Sequence, residues 1–300
     1  MIKIGIDLGG TKIEIVALDE NNDELFRRRV ATPHGDYRAI LGTIAQLIKT
    51  TERKLGEQGT IGIGTPGAIS LATGLLRNSN STCLNGKPFY DDLQRMLVRP
   101  IRMDNDASCF ALSEATDGAA AGKNIVFGVI VGTGTGGGIV VRGKTITGAN
   151  AIAGEWGHNP LPWPRDDEFP GPGCYCGKNG CIETYLSSPG ISNDHLRATG
   201  TRLNAETLWI EASRGDKACE ETIQRYEDRM ARSLAHVINI LDPDIIVLGG
   251  GMSNIQCLYE DIPRLWGKYV FSDRMDTLLV PPKHGDASGV RGAAMLWESE

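Results

Sequence analysis

The chain has 300 residues, with 31 Lys and Arg against 37 Asp and Glu, a formal net charge of -6, 41% hydrophobic and 23% charged residues. That balance excludes a nucleic-acid backbone as the main partner, because phosphates demand clustered Lys and Arg, and no apolar run approaches the roughly 20 residues that span a bilayer. The length admits two domains with cores of their own. The sequence opens directly on a strand, so the expected location is the cytoplasm.

Residues 1–30 read as a three-stranded meander. An apolar strand ending in Asp7-Leu8 meets the turn Gly9-Gly10-Thr11-Lys12, a second strand follows, and 19–23 form the next polar turn. The basic run Arg27-Arg28-Arg29 reads as a solvated strand end. Over 36–55, Ile40, Leu41, Ile44, Leu47 and Ile48 recur at helical spacing. A short strand at 60–64 enters the turn Thr65-Pro66-Gly67-Ala68. A helix over 89–97, a strand at 101–103 and a helix over 107–121 complete the first half, and the boundary between halves falls near 118–122.

The second half repeats the opening design. A strand at 126–131 meets Gly132-Thr133-Gly134-Thr135-Gly136-Gly137-Gly138 and a second strand at 139–141. An irregular Pro/Gly-rich stretch runs over 159–180. Helices follow, the last over 218–241, and then a buried strand at 244–248 empties into Gly249-Gly250-Gly251. A small-residue helix covers 288–297.

Two Gly/Thr turns of one design can offer backbone N–H groups to a polyphosphate from both sides, since Gly admits close approach and successive N–H groups form an anion-binding concavity. Asp7, just before the first turn, is placed to hold a hydrated cation. The Gly run at 249–251 ends a buried strand, where α/β sheets bind ligands, and fits contact with an adenine or ribose. Asp104-Asn105-Asp106 stand between a strand and a helix. One of them suffices as an N-cap, and a carboxylate there can also take a proton from an attacking hydroxyl. The seven cysteines are odd in number, and three are bunched. Cys174, Cys176 and Cys181, with His158 upstream, supply a Cys₃His set for a closed, structural zinc site. Glu155, before His158, and Glu183, after Cys181, would be held rigidly by such a site and suit paired hydrogen bonding to sugar hydroxyls.

Taken together, these motifs resemble bacterial sugar kinases of the ROK family, over essentially the whole chain. The matching segments are Asp7-Leu8-Gly9-Gly10-Thr11-Lys12, Gly64-Thr65-Pro66-Gly67, Asn105-Asp106-Ala107, the second Gly/Thr turn, Gly154-Glu155-Trp156-Gly157-His158 and Cys174-Tyr175-Cys176-Gly177-Lys178-Asn179-Gly180-Cys181-Ile182-Glu183. The resemblance implies a two-domain α/β fold of the actin-like, hexokinase (ribonuclease H-like) ATPase type, with a duplicated hairpin-led core and an active-site cleft between domains. The expected domains are 1–118 with the C-terminal helix 287–300, and 119–286 with the zinc loop. It implies Asp106 as general base, with Gly67, Asn80, Asn105, Asp106, Glu155, His158 and Glu183 around the sugar. Gly9, Gly10, Thr11, Lys12, Gly132, Thr133 and Gly134 would line the ATP phosphates, with Asp7 near Mg²⁺ and Gly250 and Gly251 beside the nucleoside. His158 would give one ring nitrogen to zinc and the other to the sugar. Asn78-Ser79-Asn80-Ser81-Thr82 and the run 157–163 look most like fructokinases, so the expected reaction is D-fructose to fructose 6-phosphate, with mannose beside it. The run from Asp104 to Glu114 also resembles N-acetylglucosamine kinases. The alternatives are therefore an N-acetylglucosamine, N-acetylmannosamine or glucose kinase and, far behind, a sugar-responsive repressor. Relatives are often homodimers.

Overall fold

The computed structural model describes residues 1–79 and 81–297. It opens with strands β1 (Lys3–Leu8), β2 (Lys12–Leu18) and β3 (Glu24–Ala31), followed by helix α1 (Tyr37–Leu55) and strand β4 (Thr60–Thr65). A small hairpin, β5 (Ala68–Ile69) and β6 (Leu76–Arg77), precedes helix α2 (Phe89–Leu97), strand β7 (Arg102–Asn105) and helix α3 (Asp106–Thr116). Strands β8 (Ile125–Val131), β9 (Thr135–Val141) and β10 (Lys144–Thr145) begin the second half. Helices α4 (Glu183–Leu186), α5 (Ser188–Thr199), α6 (Ala205–Ser213) and α7 (Lys217–Leu241) come next. Strand β11 (Ile245–Gly249), helix α8 (Leu258–Trp266), strand β12 (Leu278–Val280) and helix α9 (Ser288–Met295) close the chain.

The expected duplication is present. One sheet has the order β3-β2-β1-β4-β7, and the other has β10-β9-β8-β11-β12. In the first, β1 runs antiparallel to β2 and parallel to β4; in the second, β8 runs parallel to β11, and β11 to β12. The central strands are apolar and buried on both faces, as parallel strands covered by helices must be. Helix α1 starts where Asp36 caps the Ala39 N–H and stops at Gly56, whose φ of 71° suits a left-handed cap.

Contacts divide the chain into two compact units: Met1–Asn124 with Gly138–Gly154 and Lys283–Glu300, and Ile125–Gly137 with Glu155–Pro282. The second half of β9 thus belongs with the first unit. Gly138 explains this locally, since a Cβ there would lie 2.4 Å from the Ala107 carbonyl oxygen. Helix α3 stops at Thr116, short of the expected 121, because the Glu114 side chain turns back to accept the Ala119 N–H at 2.8 Å and the Glu114 carbonyl takes the Ala120 N–H.

The first unit is built around α9. A Cβ on Gly5 would stand 2.1 Å from the Val290 oxygen, one on Gly62 would stand 1.8 Å from the Ala293 oxygen, and one on Gly292 would stand 1.7 Å from the Cys109 oxygen. Strands β1 and β4 therefore meet α9 backbone to backbone, and α9 meets α3 in the same way. Gly62→Ala is expected to destabilise the protein by about 1–3 kcal/mol through overpacking. Gly42→Ala, in open space on α1, should instead stabilise it by up to about 1 kcal/mol through helix propensity. Thermal unfolding of the two variants side by side is the check, and equal melting temperatures would refute the contact.

Candidate active site and metal cluster

The first unit gathers Asp7, the first Gly/Thr turn, Gly67, Asn105 and Asp106. The turn closes on itself: the Gly9 N–H donates to the Lys12 carbonyl at 2.9 Å, and Thr32 braces it through its hydroxyl to the Gly9 carbonyl at 2.8 Å. Gly9 thus shapes the turn rather than offering its N–H outward, while Gly10 and Lys12 are half-buried and Thr11 is exposed at the tip. Burial, and next the Glu14 carboxylate, push Asp7 up to about 6. Glu14 itself is fully buried between Arg27 and Arg29. Asp7 is therefore a carboxylate short of compensation, which a cation would pull back toward the ordinary carboxylate range.

Asn105 is the residue that caps α3. Its side-chain oxygen accepts the Ala107 N–H at 2.9 Å and its amide donates to the Gly67 carbonyl at 3.0 Å, which leaves one N–H and one lone pair for a ligand. Gly67 has a φ of 80°, and a Cβ there would lie 2.2 Å from the Arg77 oxygen. Asp106 is the first helical residue, and its carboxylate also reaches the Ala107 N–H at 2.8 Å. Burial raises the Cys109 thiol first, and the charges of Asp104, Asp7 and Asp106 raise it further. Three carboxylates, at the ends of β1 and β7 and the start of α3, are therefore close enough to act on one buried thiol. Asn80 lies outside the described residues. The Ser79 backbone beside it is tied to Asn85 by two hydrogen bonds of 2.9 Å.

The second unit gathers the second Gly/Thr turn, Gly250, Gly251, Glu155, His158, Glu183 and the thiols. The Gly132 N–H donates to the Gly134 carbonyl at 2.9 Å, so this turn is also self-closed, with Thr133 and Gly134 exposed. A Cβ on Gly132 would lie 3.8 Å from the Gly251 nitrogen, and one on Gly250 would lie 2.4 Å from the Val131 oxygen. The two Gly runs are thus brought side by side. Glu183 accepts the Thr135 N–H at 2.9 Å, so one of its oxygens is already committed to the turn. Trp156 donates from its indole to the Gly136 carbonyl at 2.9 Å, and a Cβ on Gly157 would lie 2.1 Å from the Thr135 oxygen. The segment carrying Glu155 and His158 is therefore seated on the start of β9.

The donor atoms of His158, Cys174, Cys176 and Cys181 lie within 4.8 Å of one another. The His158 Nδ1 is 3.6 Å from the Cys174 sulfur, and the Cys176 and Cys181 sulfurs are 3.6 Å apart. Such separations suit four ligands at about 2.0–2.3 Å from a tetrahedral zinc. Burial and the neighbouring sulfurs push the Cys181 thiol up to about 12; three thiolates this close need a cation between them, so the donors fit the ion. The His158 Nε2 meets the Tyr175 hydroxyl at 2.9 Å.

A buried ion network that the sequence reading did not anticipate anchors this region. Glu168, 3% exposed, meets Arg229 at 2.7 Å and Arg232 at 2.8 Å, and Arg229 also meets Asp194 at 2.9 Å. The Tyr185 hydroxyl donates to the Glu168 carbonyl at 2.7 Å. The one signal for it was Arg229 and Arg232 recurring on the apolar face of α7.

The sequence profile of the ROK family matches residues 3–300, and the chain belongs to that family. An N-acetyl-D-glucosamine kinase of Vibrio atlanticus is 38% identical over 296 residues, covering 97% of this chain and 98% of the relative. Its namesake in Photobacterium profundum is 39% identical over 297 residues, with the same coverage. The crystal structure of a ROK hexokinase from Thermus thermophilus superposes with a TM-score of 0.88 at 29% identity, covering 99% of this chain and 97% of that one. The fold is therefore the two-domain, actin-like one. Among the described residues no helix is long and apolar enough to cross a membrane.

The ion network yields a test. Burial alone would raise Glu168, but hydrogen bonds from Arg232, the Arg165 N–H and Arg229 outweigh it and hold the carboxyl at about 2 against an ordinary 4.5. A depressed carboxyl stabilises the fold above its unfolded pKa, and that stability is lost as pH falls from 4.5 through about 2; its size is about 3 kcal/mol. Glu168→Gln should cost about 3–5 kcal/mol at pH 7, because two buried guanidinium groups each lose one of their two carboxylate partners, and should flatten the acid limb of the stability curve. Denaturant titrations at pH 7 and pH 3 measure both effects; a variant as stable as wild type at pH 7 would rule the network out as an anchor.

Proposed function

We propose that the protein is an ATP-dependent sugar kinase whose substrate is an N-acetylated hexose, N-acetyl-D-glucosamine first among them. The observation that carries the reading is the meeting of Asp7 and Asp106 at the start of α3, beside a self-closed Gly/Thr turn. Phosphoryl transfer asks for a positioned base, a cation and fixed phosphates, and little covalent work from the protein. The names of the Vibrio and Photobacterium relatives favour the N-acetylated substrate over the fructose expected from residues 78–82 and 157–163.

In this reading Asp106 takes the proton of the attacking sugar hydroxyl. The hydroxyl oxygen forms its bond to the γ-phosphorus as the bond to the bridging oxygen breaks and ADP leaves. Magnesium, when bound, neutralises charge on the phosphates, and Asp7 would hold it. Gly10, Thr11, Lys12, Thr133 and Gly134 would line the phosphates, and Gly250 and Gly251 the nucleoside. Asn105 would spend its remaining N–H and lone pair on the sugar, joined by Gly67, Asn80, Glu155, His158 and the uncommitted oxygen of Glu183. His158, Cys174, Cys176 and Cys181 would hold a structural zinc that fixes the orientation of Glu155 and Glu183.

Coupled ADP release with Mg-ATP is expected to show highest kcat/KM for N-acetylglucosamine among N-acetylglucosamine, N-acetylmannosamine, glucose, mannose and fructose. A clear preference for fructose would keep the chemistry and overturn the substrate; inactivity on every sugar would sink the kinase reading. Asp106→Asn should lower kcat by about 10²–10⁴-fold, the usual worth of a general base, while sugar binding persists. Near-normal turnover would remove Asp106 from that role. Metal analysis of freshly purified protein should find about one zinc per chain, and Cys176→Ser should lose it along with thermal stability. Metal-free wild-type protein would refute the site.

A further inference from the structure

His158 presents two nitrogens to two different neighbours. Nδ1 faces the thiols, 3.6 Å from the Cys174 sulfur, and Nε2 stands 2.9 Å from the Tyr175 hydroxyl. The two rings meet edge to face, with centroids 5.1 Å apart. An imidazole that gives its Nδ1 lone pair to a cation keeps its proton on Nε2. The Nε2–H therefore donates, and the phenol oxygen accepts.

That N–H is the one His158 has left for a sugar hydroxyl. A sugar oxygen and the Tyr175 oxygen cannot both lie on its axis at hydrogen-bond distance. Tyr175 is also loosely held. The residue is 77% exposed overall, although its hydroxyl end is tucked against the histidine. The charges of Glu183 and Glu155 both reach the phenol, so the two carboxylates of the sugar reading lie near it. Two residues on, Gly177 has a φ of 87° with open space around its Cβ position.

We propose that Tyr175 is a substrate-displaced occupant of the sugar site: its hydroxyl holds the His158 Nε2–H in the sugar-free protein and gives way when a hexose hydroxyl takes the same bond. Tyr175 then sets sugar affinity without touching the reacting atoms. This rests on the kinase reading above and adds to it a residue to which that reading gives no role. The hydroxyl occupies the N–H of the half-buried His158 when no sugar is present, in place of a water. The exchange makes every hexose that uses this nitrogen bind more weakly than it would to an open site.

The test uses zinc-loaded, full-length Tyr175→Phe and Tyr175→Gly. Calorimetry with N-acetylglucosamine in the absence of nucleotide gives the Kd, steady-state kinetics gives KM and kcat, and metal analysis gives zinc content. Loss of one competing hydrogen bond should lower Kd and KM by roughly three- to tenfold, with kcat moving less than twofold and zinc retained. The Gly variant, which also removes the ring, should show the larger effect. A rise in Kd in both variants would make Tyr175 a direct sugar ligand and overturn the proposal. So would an unchanged Kd, or zinc loss in the Phe variant, which would make Tyr175 a support of the metal. Wild-type protein that turns over no hexose overturns the kinase reading and this inference together; an active wild type with unchanged variants overturns this inference alone.

Discussion

Everything in the first unit depends on a contact that no side chain makes. Helix α9 lies on β1, β4 and α3 with peptide groups at van der Waals distance, and Gly5, Gly62 and Gly292 are the points where a single methyl group would fill the gap. Because β1 carries Asp7 at its end and α3 carries Asp106 at its start, the thickness of this glycine contact sets the spacing of the two carboxylates. A tightly packed interior transmits a displacement rather than absorbing it. A larger residue on the sheet face of α9 would move Asp7 and Asp106 without touching either of them.

The second unit solves a different problem. Residues 158–182 carry the four clustered His and Cys donors yet have almost no regular structure and few large apolar side chains to bury. Charge does the work there that a core does elsewhere. Glu168 and Asp194 balance Arg229 inside the protein, and Arg232 lies between Glu168 and Asp228 at 2.8 and 3.0 Å. A buried pair is a weak source of net stability, because desolvation offsets most of the attraction. It does, however, penalise every arrangement that leaves a charge unmatched, and an irregular loop that must present His158, Cys174, Cys176 and Cys181 together gains register from that penalty.

What could be read from the sequence was local and periodic. The meander, the helical spacing of Ile40, Leu41, Ile44, Leu47 and Ile48, the Cys₃His set and the second hairpin all announce themselves within short windows, and the structure has each of them. What could not be read involved residues far apart in the chain. Nothing near Glu168 reveals that its partners stand 61 and 64 positions later. The return of 138–154 to the first unit is equally invisible, since it turns on Gly138 meeting Ala107. The early end of α3 follows from one residue, Glu114, whose side chain and carbonyl accept the Ala119 and Ala120 N–H groups that a continued helix would have bonded internally. The substrate was the hardest of all, because a sugar preference rests on a few polar atoms and not on a pattern.

The two Gly/Thr turns show how a duplication can divide its labour. Each closes through the N–H of its first glycine, Gly9 onto Lys12 and Gly132 onto Gly134, so the hairpin geometry is shared. The strands feeding them differ at the half-buried penultimate position, which is Asp7 in β1 and Ile130 in β8. Only the first repeat has an acid of its own at its turn. The second borrows one: Glu183, at the start of α4, reaches the Thr135 N–H at 2.9 Å, and a Cβ on Gly134 would lie 2.9 Å from the same oxygen. Glu183 follows Cys181 by two residues, so the borrowed carboxylate ties the second turn to the metal loop, and a disturbance of either is felt by the other. The repeat without an acid is thus the one that gained a connection to the loop of His158 and the three thiols, and the repeat with an acid kept a carboxylate of its own.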